Sequence, residues 1–415
     1  MTTAYLLLFS AILLCFLMCW GVGANDLANV MSTTMGSKAI TVRQAMLIAI
    51  IFEFAGAFLG GSDVTVTIRN GIINTSQLQS SPMVIVEGMI SVLIACTIWM
   101  NLASFLGVPV SITNALVGSI VGFGSIVLGS DAVHWKQVYY IAISWFTSPF
   151  LAGITAYLLF ISIQQTIFIR PDPVEKAKTF IPIYLLLVGI VLSFITTFKG
   201  LHHFHIQLNV KQALAVTLAT SLFITSIGII LINRIPNVPK IRRHDRFMQV
   251  EKYFAVLMGL TACAMVFAHG SNDVALAVGP LSIVYNFTTN PGQPFNVANY
   301  PTWTTLLGCF GVVLGFLVYG RKVIETVGSS ITTLTPSRAF AATLSAATTV
   351  VIANSTGIPV SATQTLVGAV LGVGLARGIG ALNLVVIRNI FTSWVLTLPV
   401  SSGLTILTYK LLGFL

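Results

Sequence analysis

Two short patterns each occur twice in this chain, in the same order and at nearly the same offset. Gly23-Ala24-Asn25-Asp26-Leu27-Ala28 returns as Gly270-Ser271-Asn272-Asp273-Val274-Ala275. Gly107-Val108-Pro109-Val110-Ser111-Ile112-Thr113 returns as Gly357-Ile358-Pro359-Val360-Ser361-Ala362-Thr363, with Leu-Val-Gly following in both copies. Shared order and offset imply that a whole half was duplicated. Each copy places a carboxylate, an amide, glycines and a proline inside apolar sequence. In lipid that combination points to a binding site built from broken helices.

Hydrophobic residues make up 56% of the chain and charged residues only 8%, against roughly 25% charged in soluble domains. Apolar runs near the roughly 20 residues needed to cross a bilayer recur along the whole length. The expectation is an all-α polytopic membrane protein with no soluble domain. A transmembrane β-barrel would show short alternating segments instead. The run Tyr5 to Trp20 lacks a basic start and flows directly into the first motif, so a retained span is expected rather than a signal peptide. The net charge of +10 fits basic loops at the cytoplasmic face of a membrane and is not a nucleic-acid signal. Cys15, Cys19, Cys96, Cys263 and Cys309 all lie in apolar runs without a metal-ligand grouping, as inert core thiols do.

About twelve transmembrane helices are expected, near 4–22, 44–61, 83–105, 108–129, 138–164, 180–198, 212–232, 253–287, 303–320, 339–356, 359–377 and 386–412. The stretch 253–287 is too long for one straight span and is expected to break at its Gly-Ser-Asn-Asp centre. With the N-terminus outside, the outer loops receive only Arg69, Lys136, Lys199, Lys211 and Lys410 of the 21 Lys and Arg. That bias places both termini outside. Odd numbers of crossings then separate the paired motifs, so the halves are inverted and discontinuous helices meet at the centre, a common plan of secondary transporters. The expected organisation is a first membrane repeat over 1–165, connecting spans and a basic cytoplasmic linker over 166–250, and an inverted repeat over 251–415. The linker proper, Asn233 to Lys252, is punctuated by Pro236 and Pro239.

A carboxylate at mid-membrane costs at least about 2.5–3.5 kcal/mol on insertion scales, so it is retained by function or by pairing. Neither Asp26 nor Asp273 has a Lys or Arg in its own span. A bound cation is the expected compensator, with Asn25 and Asn272 offering carbonyl oxygens suited to Na+, and Gly23 and Gly270 letting backbone carbonyls turn toward the ion. The alternative is a protonated Asp with only structural hydrogen bonds. Ser111, Thr113, Ser361 and Thr363 each follow a Gly-x-Pro helix start, where hydroxyls beside free first-turn N–H groups hold an anion without a basic residue. Ordinary N-capping by Ser is the plainer reading. Glu53, mid-span, is either a second cation or proton group or an acid bonded to another helix. Glu87 is nearer a span end and reads as structural, and His269 shapes the second motif or carries a proton. His202, His203 and His205 read as a solvated outer loop, since no carboxylate completes a metal site. Pairs of glycines four apart, such as Gly56 with Gly60 and Gly368 with Gly372, permit close helix packing.

These motifs resemble those of the inorganic phosphate transporter (PiT) family, whose duplicated signature is similar to Gly23 to Asn29 and to His269 to Pro280. The Gly-x-Pro-Val-Ser-x-Thr segments also resemble the family's second repeated motif, and Glu53 is similar to a membrane glutamate that the family uses. The resemblance spans both halves. It implies symport of inorganic phosphate with Na+ or H+ by alternating access, no cofactor, a prokaryotic inner (plasma) membrane location and a homodimer. It also implies Asn29 as a member of the cation set with Asn25, Asp26, Glu53, Asn272 and Asp273. The chain departs from the family at Leu276, which stands where the second copy usually has Asn, and at Asn114 and Gln364, which stand where His is common. Thr343 stands where a second membrane glutamate is expected.

The residues alone imply a cation-coupled oxyanion transporter, and the resemblance supplies phosphate. Sulfate, of the same shape, is the first alternative. An intramembrane enzyme with the Asp pair as an acid–base dyad is the alternative of a different class, and no Ser–His or His-Glu-x-x-His grouping supports it. A passive channel is a third.

Overall fold

The computed structural model describes residues 2–60, 71–73, 82–195, 197, 208–236, 243–289, 301–330 and 333–413. The histidine cluster at 202–205, Pro239 of the linker and most of the uncharged connection 288–302 lie outside the described residues. The helices, in order, are α1 (Thr2–Val22), α2 (Ala28–Gly36), α3 (Val42–Gly60), α4 (Pro82–Leu106), α5 (Ile112–Phe123), α6 (Trp135–Ile163) and α7 (Pro173–Ile195). Then follow α8 (Val210–Asn233), α9 (Arg243–His269), α10 (Ala275–Thr289), α11 (Thr302–Ser330), α12 (Pro336–Ser355), α13 (Ala362–Ala376) and α14 (Leu384–Leu412). Each expected span overlaps at least one of these, 253–287 overlapping both α9 and α10. Among the described residues, nine helices are long and apolar enough to cross a membrane, while Ile112–Leu128 and Ala362–Ala376 are shorter apolar helices. The protein is an all-helical, multi-pass membrane protein.

The Asn-Asp motif does not break its helix as expected. A π-helical turn, Gly23–Leu27, joins α1 to α2, and another, Gly270–Val274, joins α9 to α10. The flanking residues keep right-handed helical dihedrals, so Arg243–Thr289 runs through as one 47-residue helix. The Asn-Asp pairs therefore sit on a local widening of an unbroken helix, a feature that recurs at functional sites. The discontinuities belong to the second motif. Chain reversal at Gly107 and Gly357, both with φ of 71°, turns α4–α5 and α12–α13 into two helical hairpins. Only glycine adopts that left-handed conformation without strain.

The two halves run in opposite senses. Cys15 reaches the Ala277 carbonyl (3.5 Å), whereas Ile40, further along the first half, packs at Gly259, earlier in the second. The hairpins are then clasped across the halves. α13 packs on α6, with Gly368 against Pro149 and Gly372 against Gly153; α5 packs on α14, with Gly118 against Leu398 and Gly122 against Ser402. In lipid, where no hydrophobic effect drives helices together, small residues that let backbones approach supply the packing energy.

Glycine in the Asn-Asp motif has the same purpose. A Cβ on Gly23 would be driven into the Val312 carbonyl, and one on Gly270 into the Glu53 carbonyl. These glycines thus have a steric role, which the sequence reading, looking to carbonyls turned toward an ion, did not include. The matching contacts also make Val312 the pseudo-twofold counterpart of Glu53. Thr343 is unrelated to Glu53 by that symmetry and instead meets Thr33 hydroxyl to hydroxyl at 2.9 Å.

Candidate functional site

The two π turns face the two hairpin tips. Asn25, Asp26, Asn272 and Asp273 are all buried, as are Ser111, Thr113, Ser361 and Thr363. All eight belong to one connected polar region. In the first half, the Asn25 side chain clamps the extended tip of hairpin one: Nδ2 donates to the Val108 carbonyl (2.9 Å), and Oδ1 accepts the Val110 N–H (3.0 Å). Pro109 between them has no N–H to satisfy, and its carbonyl accepts from Ser393 of α14 (3.0 Å).

Asp26 joins the hairpins. One carboxylate oxygen accepts the first-turn N–H of Ile112 (3.2 Å), and the other accepts the hydroxyl of Thr363 from the opposite hairpin. A negative group at a helix N-terminus is electrostatically favoured. Here that group is a side chain of the protein itself.

The second half departs from this pattern. Asn272 Nδ2 donates to the Val360 carbonyl (2.7 Å) and to its neighbour Asp273 (2.7 Å). Thr113, the counterpart of Thr363, donates to the same Val360 carbonyl (3.0 Å) rather than to an aspartate. Asp273 turns toward His269, whose Nε2 lies 2.9 Å from Oδ2. The other imidazole nitrogen, Nδ1, lies 2.9 and 3.0 Å from the two Glu53 oxygens. His269 is thus held between two buried carboxylates from different helices.

Sequence reasoning left Glu53 as a cation or proton group or an acid bonded to another helix, without naming the partner; the structure pairs it with His269. Only the mid-span position of both residues hinted at it, because 216 positions separate them. The expected cation set remains together around the π turns, but its members differ in availability. Asn29 is fully buried, and neither polar atom of its side chain has a partner; Asn272 Oδ1 is also unpartnered. Buried side-chain amides are nearly always bonded, so these atoms stand out among the buried polar groups of the centre. Leu276 occupies the Asn29 position of the second half, just as Val22 occupies the His269 position of the first.

The hydroxyls expected to bind an anion have intramolecular duties here. Ser111 and Ser361 cap their helices, accepting the N–H of Asn114 (3.3 Å) and of Gln364 (3.2 Å). That is the plainer N-cap reading, and for the serines it describes this structure. Thr363 reaches Asp26, and among the described residues no cluster of His, Cys, Asp and Glu is placed to hold a metal ion.

Comparison with known proteins bears on this arrangement. The model of the phosphate transporter family matches residues 22–405. A Haemophilus influenzae protein, named provisionally as a phosphate permease, is 44% identical over 400 residues, covering 96% of this chain and 94% of its own length. A chloroplastic inorganic phosphate transporter of Arabidopsis thaliana is 36% identical over 425 residues, covering 97% of this chain and 71% of its own. A solved structure described as the sodium-dependent phosphate transporter superposes with a TM-score of 0.87 at 37% identity, over 99% of both chains.

Proposed function

The chain belongs to the phosphate transporter family, and on that premise we propose that it is a secondary transporter in which Na+ drives uptake of inorganic phosphate through exchange of partners at Asp26. The observation that carries this is the bridge from Asp26 to Ile112 N–H and Thr363 Oγ1. Those two donors, from facing hairpins, are the ones an oxyanion needs. While the carboxylate holds them, phosphate is excluded.

Charge makes the exclusion strict. Two unit charges 4 Å apart repel by about 4 kcal/mol at an effective dielectric constant of 20, close to a thousandfold in affinity. A cation drawn to Asp26, with Asn29 and the free oxygen of Asn272 as further ligands, offsets that repulsion. It also pulls the carboxylate off the hairpins and releases their donors. Anion and cation then bind together, and loaded and empty forms reorient while the half-loaded form does not. The unequal halves fit this division. Asp26 is held by the donors of the hairpins, whereas Asp273 already leans on His269.

Na+ is favoured over H+ because the unpartnered atoms include the amide oxygens of Asn29 and Asn272, ligands for a hard cation, and because the structural neighbour is described as sodium-dependent. Carboxylate acceptors beside the anion favour phosphate over sulfate, since phosphate at neutral pH still has a P–O–H to donate. The Lys and Arg distribution supports both termini on the outer face of a prokaryotic plasma membrane. Labelled phosphate uptake into proteoliposomes, with Na+ and H+ gradients imposed separately, tests the reading. Accumulation under an inward Na+ gradient that unlabelled phosphate blocks and sulfate does not is expected. Uptake driven only by H+, or blocked equally by sulfate, overturns the corresponding assignment.

A further inference from the structure

Outside the polar centre, a cleft of about 550 Å³ separates α14 from α6 and α13, within the range of roughly 300–1,000 Å³ typical of ligand pockets. Trp145 and Phe150 of α6 face Trp394 and Leu398 of α14 across it, and the buried amides Asn114 and Gln364 lie at its inner end. Gln364 Oε1 and the indole nitrogens of Trp145 and Trp394 have no hydrogen-bond partner. At the rim, Phe146, Phe150 and Val395 are exposed at 76%, 67% and 69%. In a multi-pass protein such faces meet lipid, so the cleft opens sideways into the bilayer. Its walls bear no cation, which makes it unsuited to conduct a phosphate dianion.

A second groove of about 470 Å³ runs along the outer face of α14 and shares Phe391 and Val395 with the cleft. It contains Arg388, exposed and, among the described residues, without a salt bridge. From Arg388 to Leu398 is a rise of about 15 Å along a helix. That equals half of the roughly 30 Å hydrocarbon thickness. The two grooves together have the length and polarity of one leaflet of lipid: a cation at the interface, then an apolar channel ending near mid-bilayer.

We propose that this continuous groove binds one anionic phospholipid, its headgroup phosphate on Arg388 and an acyl chain lying between Trp145 and Trp394. Charge complementarity selects the headgroup. Arg388 sits in the first turns of α14, where the helix dipole also favours an anion, and the Lys and Arg count places this end on the cytoplasmic side. A zwitterionic headgroup brings its own ammonium to the same site and gains less. The acyl chain covers the apolar walls that α6 and α14 present to the cleft.

The test is tryptophan quenching by bromine-labelled acyl chains in phosphatidylcholine vesicles holding the full-length protein. Small fractions of brominated phosphatidylglycerol or brominated phosphatidylcholine are added, and Trp145→Phe and Trp394→Phe variants isolate the signal of the cleft pair. Half-quenching of that pair is expected at about fivefold lower mole fraction of the brominated phosphatidylglycerol, the effect of roughly 1 kcal/mol for one arginine at the membrane surface. Arg388→Gln, on an exposed face, removes the preference, and Lys410→Gln at the far end of α14 leaves it intact. Equal half-quenching by the two lipids overturns the proposal. So does a preference that survives Arg388→Gln, or a cleft pair that neither brominated lipid quenches.

Discussion

Thr363 and Asp26, 337 positions apart in sequence, share a hydrogen bond at the meeting point of two hairpin tips and an unbroken helix. Because Asp26 also takes the Ile112 N–H, one carboxylate ties together both inverted halves. Hydrogen bonds to charged groups contribute about 1.5–3 kcal/mol. Thr363→Val therefore removes both a clamp on the carboxylate and an anion donor. We expect phosphate uptake at limiting substrate to fall at least tenfold, with Thr363→Ser restoring most of it, as measured by initial rates in proteoliposomes.

The close approach of α1 to α11 and of α9 to α3 leaves no space for a side chain at the motif glycines. Gly23→Ala and Gly270→Ala should each lower the thermal unfolding midpoint in detergent, by the roughly 1–3 kcal/mol or more that overpacking costs. Gly403, with no neighbour within 4 Å of an added Cβ, is the control, and Gly403→Ala should leave the midpoint unchanged.

His269 lies between Glu53 and Asp273 in a buried setting, 2.9 Å from an oxygen of each. Removing one member of a buried pair costs about 3–5 kcal/mol because the other charge is stranded. His269→Ala should destabilise the protein more than the double change Glu53→Gln with His269→Gln, in which amides replace both groups. Thermal unfolding of the two variants at one pH gives the comparison. Equal losses would show that His269 packs without compensating charge.

Much of this was legible beforehand. The duplicated motifs pointed to inverted halves, and the mid-span acids with amides beside them are buried together in the structure. The misplaced break has a simple cause: a π turn keeps helical dihedrals and carries no proline or composition mark, so Gly270–Val274 looks like any Gly-rich interruption. The Glu53–His269 pair depends on the crossing of α3 with α9, which periodicity within either helix does not encode. The clasp of each hairpin by a helix of the other half was equally hidden, although Gly118 and Gly368 had marked the surfaces involved.

Asn29 is buried with no hydrogen-bond partner for its side chain, and the proposed mechanism makes it a cation ligand. Asn29→Leu, which copies Leu276 of the second half, should leave the unfolding midpoint unchanged or raise it, since an unsatisfied buried group costs about 1–3 kcal/mol. The same variant should raise the Na+ concentration for half-maximal uptake severalfold. Unchanged Na+ dependence would remove Asn29 from the cation set.

The exchange at Asp26 is tested most directly by phosphate binding to the purified protein at a series of Na+ concentrations, for the unmodified chain and for Asp26→Asn. The account predicts that unmodified protein binds phosphate only as Na+ rises, whereas Asp26→Asn, with no carboxylate charge to neutralise, binds it without Na+ and gains little on addition. If Asp26→Asn keeps the full Na+ dependence, or if the unmodified protein binds phosphate equally well without Na+, the carboxylate is not the gate.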